Sequence, residues 1–420
     1  MSQPADWDII SLARMGYNMN GWDIDSKIKK YWDIRDRNLP QSFLEELEKS
    51  FKGFQDVSQK HPGSPAEFLS NLNLGFADKF LCSLYKSYPT YPPIAIVKAL
   101  FLMDIKKMKF YPELKRYLES HLDEAINLGF LIENGMVRIP SPKTLWHFDR
   151  IRMGKRWDEF FRLLRNNCAQ EGRTIGLKLG EKDIEDATPI EALQKDVEAK
   201  YNEHYKKKGY KLDTITDLES GIPLCKKVID IIDDEAKCMI PHMKEMIKDH
   251  VNIKENWVEG GYDDYPNLAW AGVHKISIHH PIHENWIRNP KGEYENLHEL
   301  YQKFWKEPDF RSNANIEYIL SFLFNKGEVE SVGAYFRNKS MDRAEKDPKK
   351  YNDNYHLRNR QEGRHGYWKE HLELESRMRV KGIVKVDQYL TRNLCTILVV
   401  ALCRLQHGIK NNLTSIAYFT

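Results

Sequence analysis

The chain has 420 residues, 41% of them hydrophobic and 12% aromatic, which is enough for two or three packed domains and excludes a disordered protein. Lys and Arg number 64 against 61 Asp and Glu, a net charge of +3, so an anionic partner has to be met by local patches rather than by the whole surface. Six scattered cysteines without a CxxC pair exclude a zinc ribbon or disulfide framework and fit a reducing compartment. "MSQPADWDII" has no basic-then-apolar leader, and the longest apolar run, "CTILVVALC", is far below the roughly 20 residues needed to span a bilayer. The expectation is a soluble, cytoplasmic protein.

In chain order, residues 1–90 mix aromatics with charge around the breaker "KHPGSPAEF" and predict a helical, partly irregular arm. "YPPIAIVKALFLMDIKKM" then has helical periodicity behind Pro92 and Pro93, and "FYPELKRYLESH" predicts a second, shorter helix. Ser141 and Pro142 suit the N-cap and first position of a helix over "SPKTLWHFDRIRMGKRWDEFFRLLRNNC". Residues 91–170 therefore predict an all-α domain. Its last helices carry Lys143, Arg150, Arg152, Lys155 and Arg156, either as a solvated basic face or as a helix-turn-helix-like DNA contact.

Near residue 174 the pattern changes. "TIGLKL" and "DIEDA" read as strand pieces, and "YKLDTITDLESGIPLCKKVIDI" as a hairpin turning at Glu219-Ser220-Gly221. An amphipathic helix follows in "DDEAKCMIPHMKEMIKDH", then a strand in "NWVEGGYDD" and another in "KISIHH". A polar, aromatic insertion occupies about residues 284–354. The helix "NYHLRNRQEGRHGYWKEHLELESRMR" and a final apolar helix complete the chain. The class is α+β: an all-α region, then a ribonuclease-H-like mixed sheet flanked by helices, over residues 171–420.

The segment "YHLRNRQEGRHGYWK" carries the clearest chemistry. At about 100° per residue, Tyr355, Arg358, Glu362 and Lys369 fall within an arc of roughly 60°. One carboxylate among cations and a phenol suits a site where Glu362 binds a metal and Arg358 and Lys369 hold phosphate. A single carboxylate does not hold a catalytic Mg²⁺, so partners are needed. Asp186 in "DIEDATPIEA" is one candidate, although Thr188 to Glu191 also fits a capping box that would make it a turn residue. Glu259 in "WVEGGYDD" is the other, with a solvated β-turn as its plainer role. His279, His280 and His283, interrupted by Pro281 and without a nearby cysteine, read as strand-end residues rather than a zinc site.

Tyr355, Arg358, Glu362 and Lys369 reproduce the Y-(2)-R-(3)-E-(6)-K signature, and in this the chain resembles prokaryotic insertion-sequence DDE transposases. "DATPIEA" is similar to that family's first-aspartate motif and "VEGGYDD" to its second, while "YPPIAIVKALFLMDIKKM" to "PSPKTLWHFDRIR" resembles its N-terminal helical domain. The likeness covers about residues 85–410, including "RVKGIVKV" before the last helix. It implies metal-dependent cleavage of DNA at transposon ends and strand transfer into target DNA. Asp186 would bridge two Mg²⁺ ions (Mn²⁺ substituting), with Glu259 and Glu362 as the outer ligands and Tyr355, Arg358 and Lys369 on phosphates. DNA, and a homodimer assembled on it, are the implied partners. Glu259 stands where the family has aspartate, with Asp263 as the alternative second ligand. A stand-alone nuclease and a catalytically impaired DNA-binding descendant are the competing expectations.

Overall fold

A computed structural model describes residues 64–87, 89–133, 136–282, 288–289, 318–319, 321, 323 and 327–417. Most of the expected N-terminal arm, His283 and much of the expected insertion lie outside the described residues. The chain divides into two compact units: Met1–Glu171 with His371–Arg379 and Thr391–Thr420, and Gly172–Glu370 with Val380–Leu390. Residues 371–379 and 391–420 therefore belong with the helices, not with the sheet as the 171–420 boundary predicted.

The described part of the first unit is helical apart from a two-stranded ladder, β1 (Ile132–Glu133) and β2 (Met136–Val137). Its helices are α1 (Pro65–Ser70), α2 (Asp78–Ser83), α3 (Pro93–Ile105), α4 (Tyr111–Ser120), α5 (Leu122–Asn127), α6 (Pro142–His147) and α7 (Trp157–Thr174), whose last residues pass into the second unit. α3 is buried at every position, which explains why "PIAIVKALFLMDI" is apolar all round rather than amphipathic. Ser141 caps α6 as expected, its hydroxyl accepting from the Thr144 amide at 3.2 Å. The long helix expected beyond it is interrupted: a π turn covers Phe148–Met153 and a 3₁₀ turn Gly154–Arg156 before α7 begins.

Buried charge ties the unit to its C-terminal segment. Asp104 of α3 accepts from Arg377, from Arg392 (Nη2 at 2.6 Å) and from Thr396 at 3.1 Å. Asp149 accepts from Arg392 Nη1 at 2.6 Å, the Tyr111 hydroxyl at 2.6 Å and Trp157 Nε1 at 2.9 Å.

The second unit holds a six-stranded sheet. Its strands are β3 (Lys182–Glu191), β4 (Lys200–Asn202), β5 (Lys207–Asp217), β6 (Pro223–Asp230), β7 (Glu255–Val258) and β8 (Ser277–His279). The main path runs β6-β5-β3-β7-β8, with β4 paired to the start of β5. β5 is antiparallel to both β6 and β3; β3, β7 and β8 are parallel. A three-stranded meander extended by two parallel strands is the order expected of a ribonuclease-H-like sheet. "TIGLKL" is not a strand: α7 ends at Thr174, and a turn fills the space to Lys182. The capping-box reading of Thr188 to Glu191 fails as well, because β3 continues through those residues and pairs with β5 as far as Glu191↔Gly209.

The hairpin, the helix α8 (Ala236–Lys248) and strands β7 and β8 fall where the sequence put them; a further helix, α9 (Tyr265–Val273), joins the last two. After the partly described insertion come α10 (Val329–Lys346), α11 (Pro348–Tyr355) and α12 (Asn359–His371). A 3₁₀ turn over His356–Arg358 breaks the helix expected to carry the whole signature. A last helix, Ile383–Gln406, begins in this unit and continues into the residues of the first. Among the described residues no helix is long and apolar enough to cross a membrane.

Candidate active site

Three sequence-distant elements bring the expected carboxylates together. Asp186 lies in the middle of β3, and pairing there with Thr214 of β5 puts it inside the sheet. β7 runs parallel to β3 and its last pair is Glu185↔Val258, so Glu259, the next residue, leaves the strand level with Asp186. Glu362 stands in the first turn of α12. Arg358, from the 3₁₀ turn just before α12, reaches all three. Its Nη2 donates to Glu362 at 2.8 Å, and its Nη1 is 3.4 Å from Glu259 and 4.0 Å from Asp186.

Tyr355 completes this corner, with the Arg358 guanidinium 5.8 Å from its ring centre. In a 3₁₀ turn residues three apart eclipse one another, so the break in the helix places the phenol over the guanidinium more directly than an α-helix would. Lys369, two turns further along α12, donates to the Pro189 carbonyl of β3 at 2.6 Å. Pro189 lies on the same strand as Asp186, so this bond ties the end of α12 to β3.

The electrostatics are graded by burial. Asp186 is 5% exposed, whereas the Glu259 and Glu362 side chains are 53% and 59% exposed. Burial first, then the neighbouring Glu259 charge, pushes the Asp186 carboxyl up to about 7, with Arg358 opposing. Burial likewise raises the Tyr355 phenol, while Arg358 lowers it. One buried and two solvent-facing carboxylates meet here, and among the described residues the Arg358 guanidinium is the cation that reaches all three.

Around this pocket are residues that motif reading passed over. His365, one turn after Glu362, is buried; its Nδ1 is 3.9 Å from Asp186 and its Nε2 is 2.8 Å from the Thr214 hydroxyl. Gln361 donates to Thr214 at 3.0 Å and accepts from the Thr216 hydroxyl, which clamps α12 to β5. Burial pushes the Tyr205 phenol, in the turn before β5, up to about 12, with Glu235, Glu259 and Asp186 adding to the shift. A usable signal existed for His365, since it follows Glu362 at helical spacing. None existed for Tyr205.

Asp263 does not join the group. Its carboxylate is held by Arg337 of α10 (Nε to Oδ2 at 3.1 Å), with His280 Nδ1 3.7 Å away. The alternative second ligand is thus committed to anchoring the insertion's helix. His279 ends β8, stacks on Trp257 with ring centres 4.3 Å apart and bonds Glu255 at 2.9 Å, as a strand-end residue should. In the first unit the expected basic face is largely spent internally. Arg150 pairs with Asp149, Arg152 donates to the Leu84 carbonyl and covers Tyr85, and Arg156 pairs with Glu159, while Lys143 and Lys155 are exposed. No protein-family model, curated protein or solved structure matches the chain.

Proposed function

We propose that the chain is a DDE-type transposase, cutting DNA at transposon ends and joining the freed 3′ ends to target DNA. The observation that supports this is the meeting of Asp186, Glu259 and Glu362 at Arg358, from the central strand, its parallel neighbour and the helix α12. Hard carboxylate oxygens are the donor set that Mg²⁺ or Mn²⁺ takes, and the open side at Glu259 and Glu362 leaves room for substrate oxygens. These three residues would hold the ions. A divalent ion bound there supplies activation of the attacking oxygen and charge stabilisation of the leaving one.

The chain's own residues do the rest. Asp186, fixed in the sheet, sets the position of the site, and His365 and Gln361 keep α12 seated over it. Arg358 neutralises the carboxylates while the pocket lacks other cations, and turns to a phosphate oxygen when it is no longer needed there. Its planar fork suits a phosphate as well as a carboxylate. Tyr355 limits its sweep. Lys369 would meet the backbone further along the strand. The DNA-bound form is read as a cytoplasmic homodimer that pairs the two transposon ends.

Glu362→Gln tests this reading. It should reduce Mg²⁺-dependent cleavage of a terminal-repeat duplex by at least about a hundredfold while leaving DNA affinity within a few-fold. Cleavage near the wild-type rate would overturn the assignment. Glu259 in place of aspartate, and the grip of Arg358 on the carboxylates, favour one second reading, a descendant that binds DNA without cutting it. Cleavage absent already in the wild type, with binding of DNA retained, would decide for that reading.

A further inference from the structure

One residue before Asp186 the side chain points to the opposite face of the sheet, and a second cluster lies there. Glu185 of β3, Asp213 of β5 and His242 of α8 each turn one donor atom inward, all within 4.8 Å of one another. Glu185 and Asp213 are fully buried and His242 is nearly so. Glu185 Oε2 accepts from Asn256 Nδ2 at 3.2 Å, which leaves Oε1 facing His242 Nδ1 at 2.9 Å. Asp213 Oδ2 accepts from the Tyr262 hydroxyl, which leaves Oδ1 at 3.3 Å from the same nitrogen and without a hydrogen bond of its own.

Each carboxylate thus has one oxygen fixed by an outer donor and the other aimed at a common point, which is how outer partners orient the ligands of a metal. Among the described residues no Lys or Arg is paired with either carboxylate. The spacing also fits. With metal–ligand bonds of about 2.0–2.2 Å, neighbouring ligands lie about 2.9 Å apart in an octahedron and about 3.4 Å apart in a tetrahedron.

We propose that Glu185, Asp213 and His242 form a structural site for a divalent transition-metal ion, of the Zn²⁺ or Mn²⁺ kind. The imidazole nitrogen is what favours these over Mg²⁺ and Ca²⁺, which prefer all-oxygen sets. An ion here ties β3, β5 and α8 together directly behind Asp186, and balances two carboxylates that otherwise lie in a low-dielectric interior without a cation. The site stands apart from the transposase reading, because none of its ligands belongs to the Arg358 pocket.

The test uses the full chain carrying Glu259→Gln and Glu362→Gln, so that the open pocket does not contribute bound metal. It is expressed in medium supplemented with Zn²⁺ or Mn²⁺, passed over a chelating resin, and its metal counted by mass spectrometry. About one equivalent per chain is expected, falling at least fivefold on adding Asp213→Asn or His242→Gln. No retained metal, or metal undiminished by both substitutions, overturns the proposal and leaves a shared proton as the device that holds these groups together. Should both substitutions prevent folding, X-ray absorption on the ion retained by the parent decides. A shell of one imidazole with carboxylate oxygens supports the site, and an all-oxygen or multi-imidazole shell overturns it.

Discussion

Asp186 and Arg358 show how burial and charge together poise a site. A carboxyl raised to about 7 in the folded chain but near its ordinary value when unfolded still carries its proton in the folded state between about pH 4 and 7. Within that window the folded state binds more protons, so stability falls as pH rises and the full penalty is present above pH 7. Asp186→Asn removes the charge. In EDTA it should therefore melt at a higher temperature than wild type at pH 8, with the gain gone by about pH 4 and bounded above by roughly 4 kcal/mol. Equal melting temperatures at pH 8 would mean that Arg358 already cancels the cost. Arg358 itself is predicted to contact phosphate in the DNA complex, so Arg358→Ala should flatten the dependence of DNA affinity on salt by about one unit of slope. Affinity measured from low to moderate salt checks this, and an unchanged slope would confine Arg358 to the protein's own carboxylates.

Among the elements, α12 and the first unit's α3 solve different problems. α12 carries little apolar surface, and polar clamps seat it: Gln361 and His365 on Thr214 and Thr216, Arg364 on the Leu218 carbonyl at 2.6 Å, and Lys369 on Pro189. Together with the fully buried Trp368, these bonds hold a helix that presents Glu362 to a solvent-facing pocket. α3 is the opposite case, buried throughout, and its one acid, Asp104, is satisfied among the described residues by Arg377, Arg392 and Thr396. Arg392→Ala would leave Asp104 and Asp149 short of their shared partner inside the core. Breaking a buried pair from one side costs about 3–5 kcal/mol. Urea unfolding should show a loss of that size, and a loss below about 1 kcal/mol would mean that Arg377 and Arg150 compensate.

For the whole molecule, the discontinuous first unit decides which fragments are meaningful. Residues 85–170 contain the helices expected to recognise DNA but lack Arg377, Arg392 and the apolar stretch from Thr391 onward that share their core. A chain cut after residue 370 is predicted to lose cooperative folding of α1 to α7, read as rapid proteolysis within residues 64–171. Supplying residues 371–420 in trans should restore protection. Resistance of the truncated chain equal to wild type would show the helices to be self-sufficient. Terminal-repeat recognition by this unit is better tested in the intact chain at Lys143 and Lys155, the two bases of the expected face that remain exposed.

The sequence by itself determined what depends on local order. Alternation and turn residues marked the hairpin, β7 and β8, an apolar run behind Pro92 and Pro93 marked α3, and helical periodicity marked α8. The 3₁₀ turn over His356–Arg358 sets Tyr355 and Arg358 apart from Glu362 and Lys369 on α12, which the spacing alone did not foretell. Tertiary structure alone decided whatever depends on register or on pairing across hundreds of residues. Asp186 sits level with Glu259 because β3 and β7 are parallel and in step, and Asp263 is withdrawn because Arg337 reaches it from α10. Arg150 and Arg152 turn inward because a carboxylate, a backbone carbonyl and an aromatic ring await them there, and Arg156 is taken up by Glu159 at the surface. Glu185, Asp213 and His242 gave no motif at all: they lie on three separate elements, and only the stacking of α8 on β3 and β5 makes them neighbours. Spacing along a chain specifies which side chains share a face, but a buried cluster is made by the faces that meet.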